Sequence, residues 1–487
     1  MKKSFIAIVL IIVAIYAYFT FTFAFNGYPG FIQDSTCFLP TAYFINHFHQ
    51  LINPLYDAGL DPIHHRFLFY PPLFPCVVAL INSLMPEFYN NMQVSQSFID
   101  LMSLIVLLLA VYVYTIKRKV HASFTLYFWV ILWLFALFSF YGVQEGRPEV
   151  LCKFFISCFL LNNVYRSKRF CNFNNGILVT LNMITSPVST FYLILITAGL
   201  LFYRNEFRIK PILQTALGFV IIAGIFTIVY PYHIVELIQA LRQHSKNVIV
   251  NRYSTNSLKT FVSFYITYTY APFLIFNFLI PIIYVARNLV KKRMIIALGL
   301  LAVLSILVSY FSFRDMPMNY NMLVLSPVFF FVLFVIITQL FMGDKRSMLF
   351  KISSIGIAFI LFVNSIGFIR RTLLFYGTQD DSKITYNNFR TEFLKVAAQT
   401  NKGKKVGITF SLWPYCLDHY KNITLNQTDT SIQYLMVQQL YSGATEPPTL
   451  KDYKLIKNNF INKHPKLGKI PLGNTYPWFQ TAIYERK

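Results

Sequence analysis

Charge is what this chain has least of. Only 13% of its 487 residues are Asp, Glu, Lys or Arg, about half the level of a soluble domain. Acidic residues are the scarcer kind, 19 against 43 Lys and Arg, for a net charge of +24. With 56% hydrophobic and 18% aromatic residues, that scarcity excludes a soluble globular enzyme and a disordered chain. Cysteine is also sparse: Cys37, Cys76, Cys152, Cys158, Cys171 and Cys416 form no CxxC and no Cys/His metal spacing. Cys76, Cys152 and Cys158 lie in apolar segments and read as small packing residues. There is no P-loop, no GxGxxG after a strand, no HExxH and no GxSxG, which argues against nucleotide-driven transport. The chain has no internal repeat and no low-complexity segment. The basic, apolar stretch from Met1 to Ala24 has no small-residue cleavage site and reads as an uncleaved first span.

What is present is a series of apolar runs: 5–25, 67–85, 96–116, 123–141, 148–165, 176–187, 189–203, 211–232, 260–287, 293–312, 320–342 and 349–370. They predict an all-α polytopic membrane protein. Basic clusters fall between them: Lys2-Lys3, Lys117–Lys119, Arg166 to Arg169, Arg204 to Lys210, Arg287 to Arg293 and Lys345-Arg346. The positive-inside rule puts all six in the cytoplasm. An even number of spans must then separate the first two clusters, yet three candidates lie there. Segment 67–85 is short and holds Pro71, Pro72 and Pro75, so we expect it to dip and return without crossing. About eleven crossings follow, with the N-terminus inside and the C-terminus outside. The basic loops lack aromatic platforms, so a nucleic-acid partner is not expected.

The outer face then receives the loop 26–66, the junction 142–149, the turn at Ser186-Pro187, the loop 233–259, the turn 313–319 and the tail. We divide the chain into a transmembrane domain, 1–372, and a small extracytoplasmic domain, 373–487. From Thr378 the tail carries 15 Lys/Arg against 8 Asp/Glu. Expected helices at 386–399 and 430–441 and strand-like runs at 405–411 and 478–484 make it α/β. Sequons at Asn422 and Asn426 matter only in a host that glycosylates. The Lys/Asn/Ile/Phe usage suggests a bacterium, hence an inner (plasma) membrane.

Three clusters of polar residues share that face. Asp34 follows the first span; a carboxylate there can take a proton from a hydroxyl or bind a divalent metal, or it can be a solvated loop residue. Further on come Asp57, Asp61, His64, His65 and Arg66 ahead of Tyr70-Pro71-Pro72-Leu73. This edge suits an anionic phosphate, or simple interfacial anchoring. The two adjacent histidines do not make a metal site. Glu145, Arg147 and Glu149 open the helix after Gly146, where Pro148 and Glu149 also suit a helix start. Lys153 is a favourable i,i+4 partner for Glu149. Arg314 can grip a phosphate and Asn319 or Tyr320 can bond a sugar. His233, Glu236, Arg242 and His244 read as an interfacial amphipathic helix.

Taken in order, these motifs resemble the GT-C superfamily of polytopic glycosyltransferases, which includes protein O-mannosyltransferases and bacterial lipid A aminoarabinose transferases. The matching residues are Gln33-Asp34 after the first span, Tyr70-Pro71-Pro72-Leu73, Gly146-Arg147-Pro148-Glu149 with Glu for the usual Asp, and Asn319-Tyr320 in a late turn. The likeness in layout covers about residues 1–370. Many members carry two acidic residues where this chain has Asp34-Ser35, which weakens a metal-dependent reading. A divalent cation stays possible. The resemblance implies a sugar donor on a polyprenyl phosphate, a lipid, glycan or protein acceptor, and inverting transfer outside the cytoplasm. Asp34 would be the base. Arg147, Arg66 or Arg314 would hold the leaving phosphate. Glu149, Glu145, Tyr70, Asn319 and Tyr320 would shape the sugar and acceptor pocket. A flippase for a lipid-linked saccharide and a surface-polysaccharide polymerase or ligase are the alternatives. The topology has its own test: a single cysteine placed between Pro86 and Asn91 is expected to react with an impermeant maleimide from outside, and labelling from the cytoplasm alone would remove the dipping segment.

Overall fold

The computed structural model describes residues 3–26, 34–86, 91–120, 124–141, 146–165, 170–204, 206, 208–253, 319–342, 348–379 and 395. In the tail it describes 403–409, 412–417, 419–420, 422–439, 447–458, 466–467, 470–471 and 480–487. The expected spans 260–287 and 293–312, the tail helix at 386–399 apart from Lys395, and Glu145 and Arg314 lie outside these residues.

Helices dominate. They are α1 (Lys3–Phe25), α2 (Ser35–Phe48), α3 (Leu73–Ser83), α4 (Asn91–Lys117), α5 (Phe124–Phe138), α6 (Glu149–Tyr165), α7 (Cys171–Met183), α8 (Pro187–Arg204), α9 (Ile209–Val229), α10 (Ile234–Tyr253), α11 (Asn319–Met342) and α12 (Met348–Gln379). Among the described residues, three helical stretches are long and apolar enough to cross a membrane: Ile6–Phe25, Asn91–Lys117 and Ile209–Val229. Helix α3 has 11 residues, roughly 17 Å at about 1.5 Å each, against a hydrocarbon core of about 30 Å. It is too short to cross. Residues 67–72 before it are not helical; the Pro71-Pro72 pair disfavours the α conformation at Tyr70 and Pro71.

One core fills the bundle. Tyr16 of α1 stacks on Phe138 of α5 with centroids 4.2 Å apart. The fully buried Trp133 donates its indole N–H to the Phe330 carbonyl of α11 at 2.9 Å. Such a bond satisfies the polar end of an otherwise apolar side chain where water is absent. Helix α9 stands at the edge, with Leu213, Leu217, Val220 and Ile228 exposed, and it meets α7 by close backbone approach. A Cβ on Gly176 would lie 2.0 Å from the Thr215 carbonyl oxygen, and one on Gly218 would lie 2.2 Å from that of Phe173. Small residues let helices touch where no hydrophobic force drives them together.

A second core lies at one end of the bundle. It joins Phe38 and Leu39 of α2, Phe67, Phe69 and Phe74 before and within α3, and the tail. The tail is a five-stranded sheet of order β2-β1-β3-β7-β4. Its strands are β1 (Lys405–Ile408), β2 (Asn422–Thr424), β3 (Tyr434–Gln439), β4 (Tyr453–Asn458) and β7 (Gln480–Arg486), with a β5–β6 ribbon (Lys466–Leu467, Ile470–Pro471). β1 pairs parallel with β2 and β3, and β7 pairs antiparallel with β3 and β4. The helix expected at 430–441 is therefore strand β3. Its Leu435 and Met436 are buried between two strands, and sheet pairing overrides a weak local helical preference. Val406, Ile408, Trp413 and Met436 share the loop's core, while Ile432, Leu435, Ala482 and Tyr484 form a smaller core within the tail.

The helix-crossing glycines generate a stability prediction. Gly218→Leu is expected to push α9 off α7 and lower the thermal unfolding midpoint by several degrees, as a destabilisation of about 2 kcal/mol does. Gly224→Ala, with nothing within 4 Å of its Cβ position, is expected to leave the midpoint unchanged in the same melting experiment.

Candidate functional site

Asp34 is the residue before α2. It makes no side-chain cap bond to that helix, and its carboxylate instead meets the Nη1 of Arg147. Arg147 also holds Glu149: Nε donates to Oε2 at 3.1 Å and Nη2 to Oε1 at 2.9 Å. The planar guanidinium thus forks onto one carboxylate and reaches a second with its remaining edge. Residues 113 apart in sequence are joined.

The turn before α6 explains how. Gly146 has φ +77, and a Cβ there would lie 2.5 Å from the Ser35 Cβ. Only glycine lets the turn lie against the first residue of α2 in this conformation. The Gly146 amide donates to Oε1 of Gln96 on α4 at 2.9 Å. The Pro148 carbonyl accepts from the Leu151 and Cys152 amides at 3.0 and 3.1 Å, starting α6. On the other side, Asn53 Nδ2 donates to the Thr36 and Cys37 carbonyls at 2.8 and 3.1 Å. Trp413 of the short helix α13 (Trp413–Cys416) donates its indole N–H to Ser35 Oγ at 3.4 Å. The tail therefore touches the residue next to Asp34.

Tyr70 shares a hydrogen bond of 2.8 Å with Ser186 Oγ and meets Phe38 edge to face at 5.2 Å. Burial pushes its phenol up, and the Glu149 carboxylate pushes the same way. Burial raises the thiol of Cys37 to about 12, and the Asp34 carboxylate adds to the rise.

Arg66 is engaged in ion pairs. Its Nε meets Asp61 at 2.6 Å and its Nη1 meets Glu236 of α10 at 2.7 Å, with the Tyr232 ring centroid 5.5 Å away. This latch ties the first loop to α10, and Tyr232 adds a hydrogen bond of 2.6 Å to the Leu51 carbonyl. The two histidines turn to separate carboxylates, His64 to Asp61 at 3.3 Å and His65 to Asp57 at 3.0 Å. Asn319 and Tyr320 open α11; Arg314 and Glu145 lie outside the described residues. Lys153, expected to pair with Glu149, contacts Asp100 on α4, while the guanidinium of Arg147 takes Glu149. A long-range partner replaces the local one because both Lys153 and Asp100 are buried and need a counter-charge there.

Ser186 reads from the sequence only as part of an outer turn, and Gln96, Asp100 and Trp413 are not among the residues the motifs mark. A lone carboxylate inside an apolar run was the available signal for Asp100. For Trp413, whose partner lies 378 residues away, there was none. Among the described residues no three His, Cys, Asp or Glu side chains converge, and the Asp34 carboxylate faces a guanidinium. This donor set does not fit a divalent cation.

No family model matches the chain, and no curated protein matches it in sequence. Among solved structures it is similar to the crystal structure of the Archaeoglobus fulgidus oligosaccharyltransferase tethered with an acceptor peptide containing the NVT sequon. The identity is 12%, over 90% of this chain and 69% of that one, with a TM-score of 0.49. Likeness at that level establishes neither a shared fold nor a shared activity.

The loop latch gives a pH prediction. Burial opposes ionisation of Asp61, but hydrogen bonds from the Arg66 side chain and amide and from His64 outweigh it and hold the carboxyl at about 2. A carboxylate depressed in the folded state contributes stability that is complete above its ordinary value near 3.8 and is lost as pH falls toward about 2. Hydrogen exchange of the 51–66 peptide is expected to stay slow down to about pH 4 and to speed up below it, after correction for intrinsic rates. In Asp61→Asn this acid step should shrink.

Proposed function

We propose that the chain is a GT-C-type membrane glycosyltransferase. It moves a sugar from a polyprenyl-phosphate-linked donor to a hydroxyl on a lipid, glycan or protein acceptor, with inversion, at the extracytoplasmic face of a bacterial inner membrane. The observation that carries this is the Asp34–Arg147–Glu149 array, a carboxylate beside a forked guanidinium at the start of two helices. The motif order described above supports it.

The chemistry follows from the charges. The acceptor oxygen attacks the anomeric carbon, the bond from that carbon to the phosphate oxygen breaks, and the hydroxyl proton passes to Asp34. Negative charge grows on the departing lipid phosphate, where Arg147 can stabilise it. In the described state Arg147 is shared by two carboxylates, so the array carries one positive charge against two negative. A phosphate entering there takes the place of Asp34 on Nη1, which frees Asp34 to accept the proton. It also needs a second cation, the role we assign to Arg314. Arg66, held by Asp61 and Glu236, serves instead to fix the loop under α10. We assign Tyr70, Glu149, Asn319 and Tyr320 to the sugar and acceptor pocket. The lipid tail remains in the bilayer.

The test uses the reconstituted full chain and a panel of short-chain polyprenyl-phosphate monosaccharides, with release of the polyprenyl phosphate read by mass spectrometry. Asp34→Asn is expected to lose at least about 100-fold in turnover, the low end for losing a general base, while donor binding persists. Arg314→Ala is expected to raise the donor KM. Translocation of the lipid-linked sugar without its consumption, undiminished in Asp34→Asn, would identify a flippase instead.

A further inference from the structure

Beneath the Arg147 fork the bundle buries a second ion pair that the transfer chemistry does not use. Asp100 of α4 and Lys153 of α6 are each 1% exposed, and carboxylate and ammonium are in direct contact. Lys153 Nζ also donates to the Phe140 carbonyl at 3.0 Å and lies 4.2 Å from the centroid of the Tyr141 ring. Apolar side chains of similar volume commonly pack as well or better in place of a buried ion pair. Stability alone therefore does not account for these charges, and ionisable groups at membrane depth usually mark function.

The pair belongs to a ladder. One turn before Asp100, Gln96 is fully buried and accepts the Gly146 amide at 2.9 Å. A turn after it, Ser103 Oγ shares hydrogen bonds with Ser157 Oγ at 3.0 Å and with the Tyr141 hydroxyl at 3.4 Å. Positions 96, 100 and 103 fall on one face of α4. Each binds a residue of the segment that runs from the end of α5 through the Gly146 turn into α6. Together they fix how far α6 can slide along α4. A slip of one turn would move the Arg147 turn by about 5.4 Å, enough to take it away from Asp34.

We propose that Gln96, Asp100 and Lys153 are positioning residues for the Arg147–Glu149 turn, holding α6 in the register at which Arg147 meets Asp34. Only the kinetic arm of the test rests on glycosyl transfer being the activity. The key variant is the double substitution Asp100→Leu with Lys153→Met in the full chain, reconstituted in nanodiscs. Its thermal unfolding midpoint is expected to equal or exceed that of the parent. Turnover of the polyprenyl-phosphate monosaccharide found active above is expected to fall roughly 100-fold, the effect of a misplaced site, with the donor KM within about twofold. Lys153→Arg, which keeps the charge and the donation to Phe140, is expected to recover most of that turnover. Hydrogen exchange needs no substrate: the 146–152 peptide should exchange about 10-fold faster in the double variant, and in Gln96→Leu, with α8 unchanged. A fall in the unfolding midpoint together with faster exchange throughout the bundle would overturn the proposal by making the pair a general support, and so would undiminished turnover. If the parent transfers no sugar, glycosyl transfer fails on its own, and unaltered exchange at 146–152 would still reject the ladder.

Discussion

One guanidinium shared by two carboxylates joins what the chain keeps apart. Arg147 lies at the start of α6 and Asp34 at the start of α2, and no local rule brings them together. What does is a glycine. The backbone of Gly146 approaches Ser35 so closely that any side chain would collide, and the fork onto Glu149 then directs the free edge of Arg147 at Asp34. An ion pair at a partly exposed edge contributes modestly by itself. Its value here is geometric, since the same contact fixes the spacing of a carboxylate and a cation.

The surroundings hold that contact from several directions. Asn53 binds the first carbonyls of α2, Gln96 takes the Gly146 amide, and Trp413 reaches Ser35 from the tail. Arg66 bolts the loop to α10 through Asp61 and Glu236. The result is a site built on helix starts and braced by loop and tail, a more rigid arrangement than a carboxylate on an exposed loop.

Much of this was legible in the residues. Apolar runs mark the helices because an apolar surround demands internally satisfied backbones, and Pro71 and Pro72 mark the late start of the short helix α3. Gly146, Arg147, Pro148 and Glu149 announce a helix start with an unusual cation in it. The rest depended on distance in sequence. Lys153 stands four residues after Glu149, so a local pairing was expected, while its buried partner Asp100 lies on another helix. Tyr434 to Gln439 carries no strict alternation that would mark it as a strand. Its place is decided by neighbours at 405–408 and 480–486, which no window centred on 434 contains.

The shared core of loop and tail also sets an order of events during synthesis. Phe38, Phe69 and Phe74 emerge early, yet the side chains that complete their core, Val406, Trp413, Met436 and Ile483, are made some four hundred residues later. At roughly 5–20 residues per second, the first loop waits tens of seconds with its aromatic face unfinished. The core beside Asp34 is therefore complete only after residues 406–483 have been made.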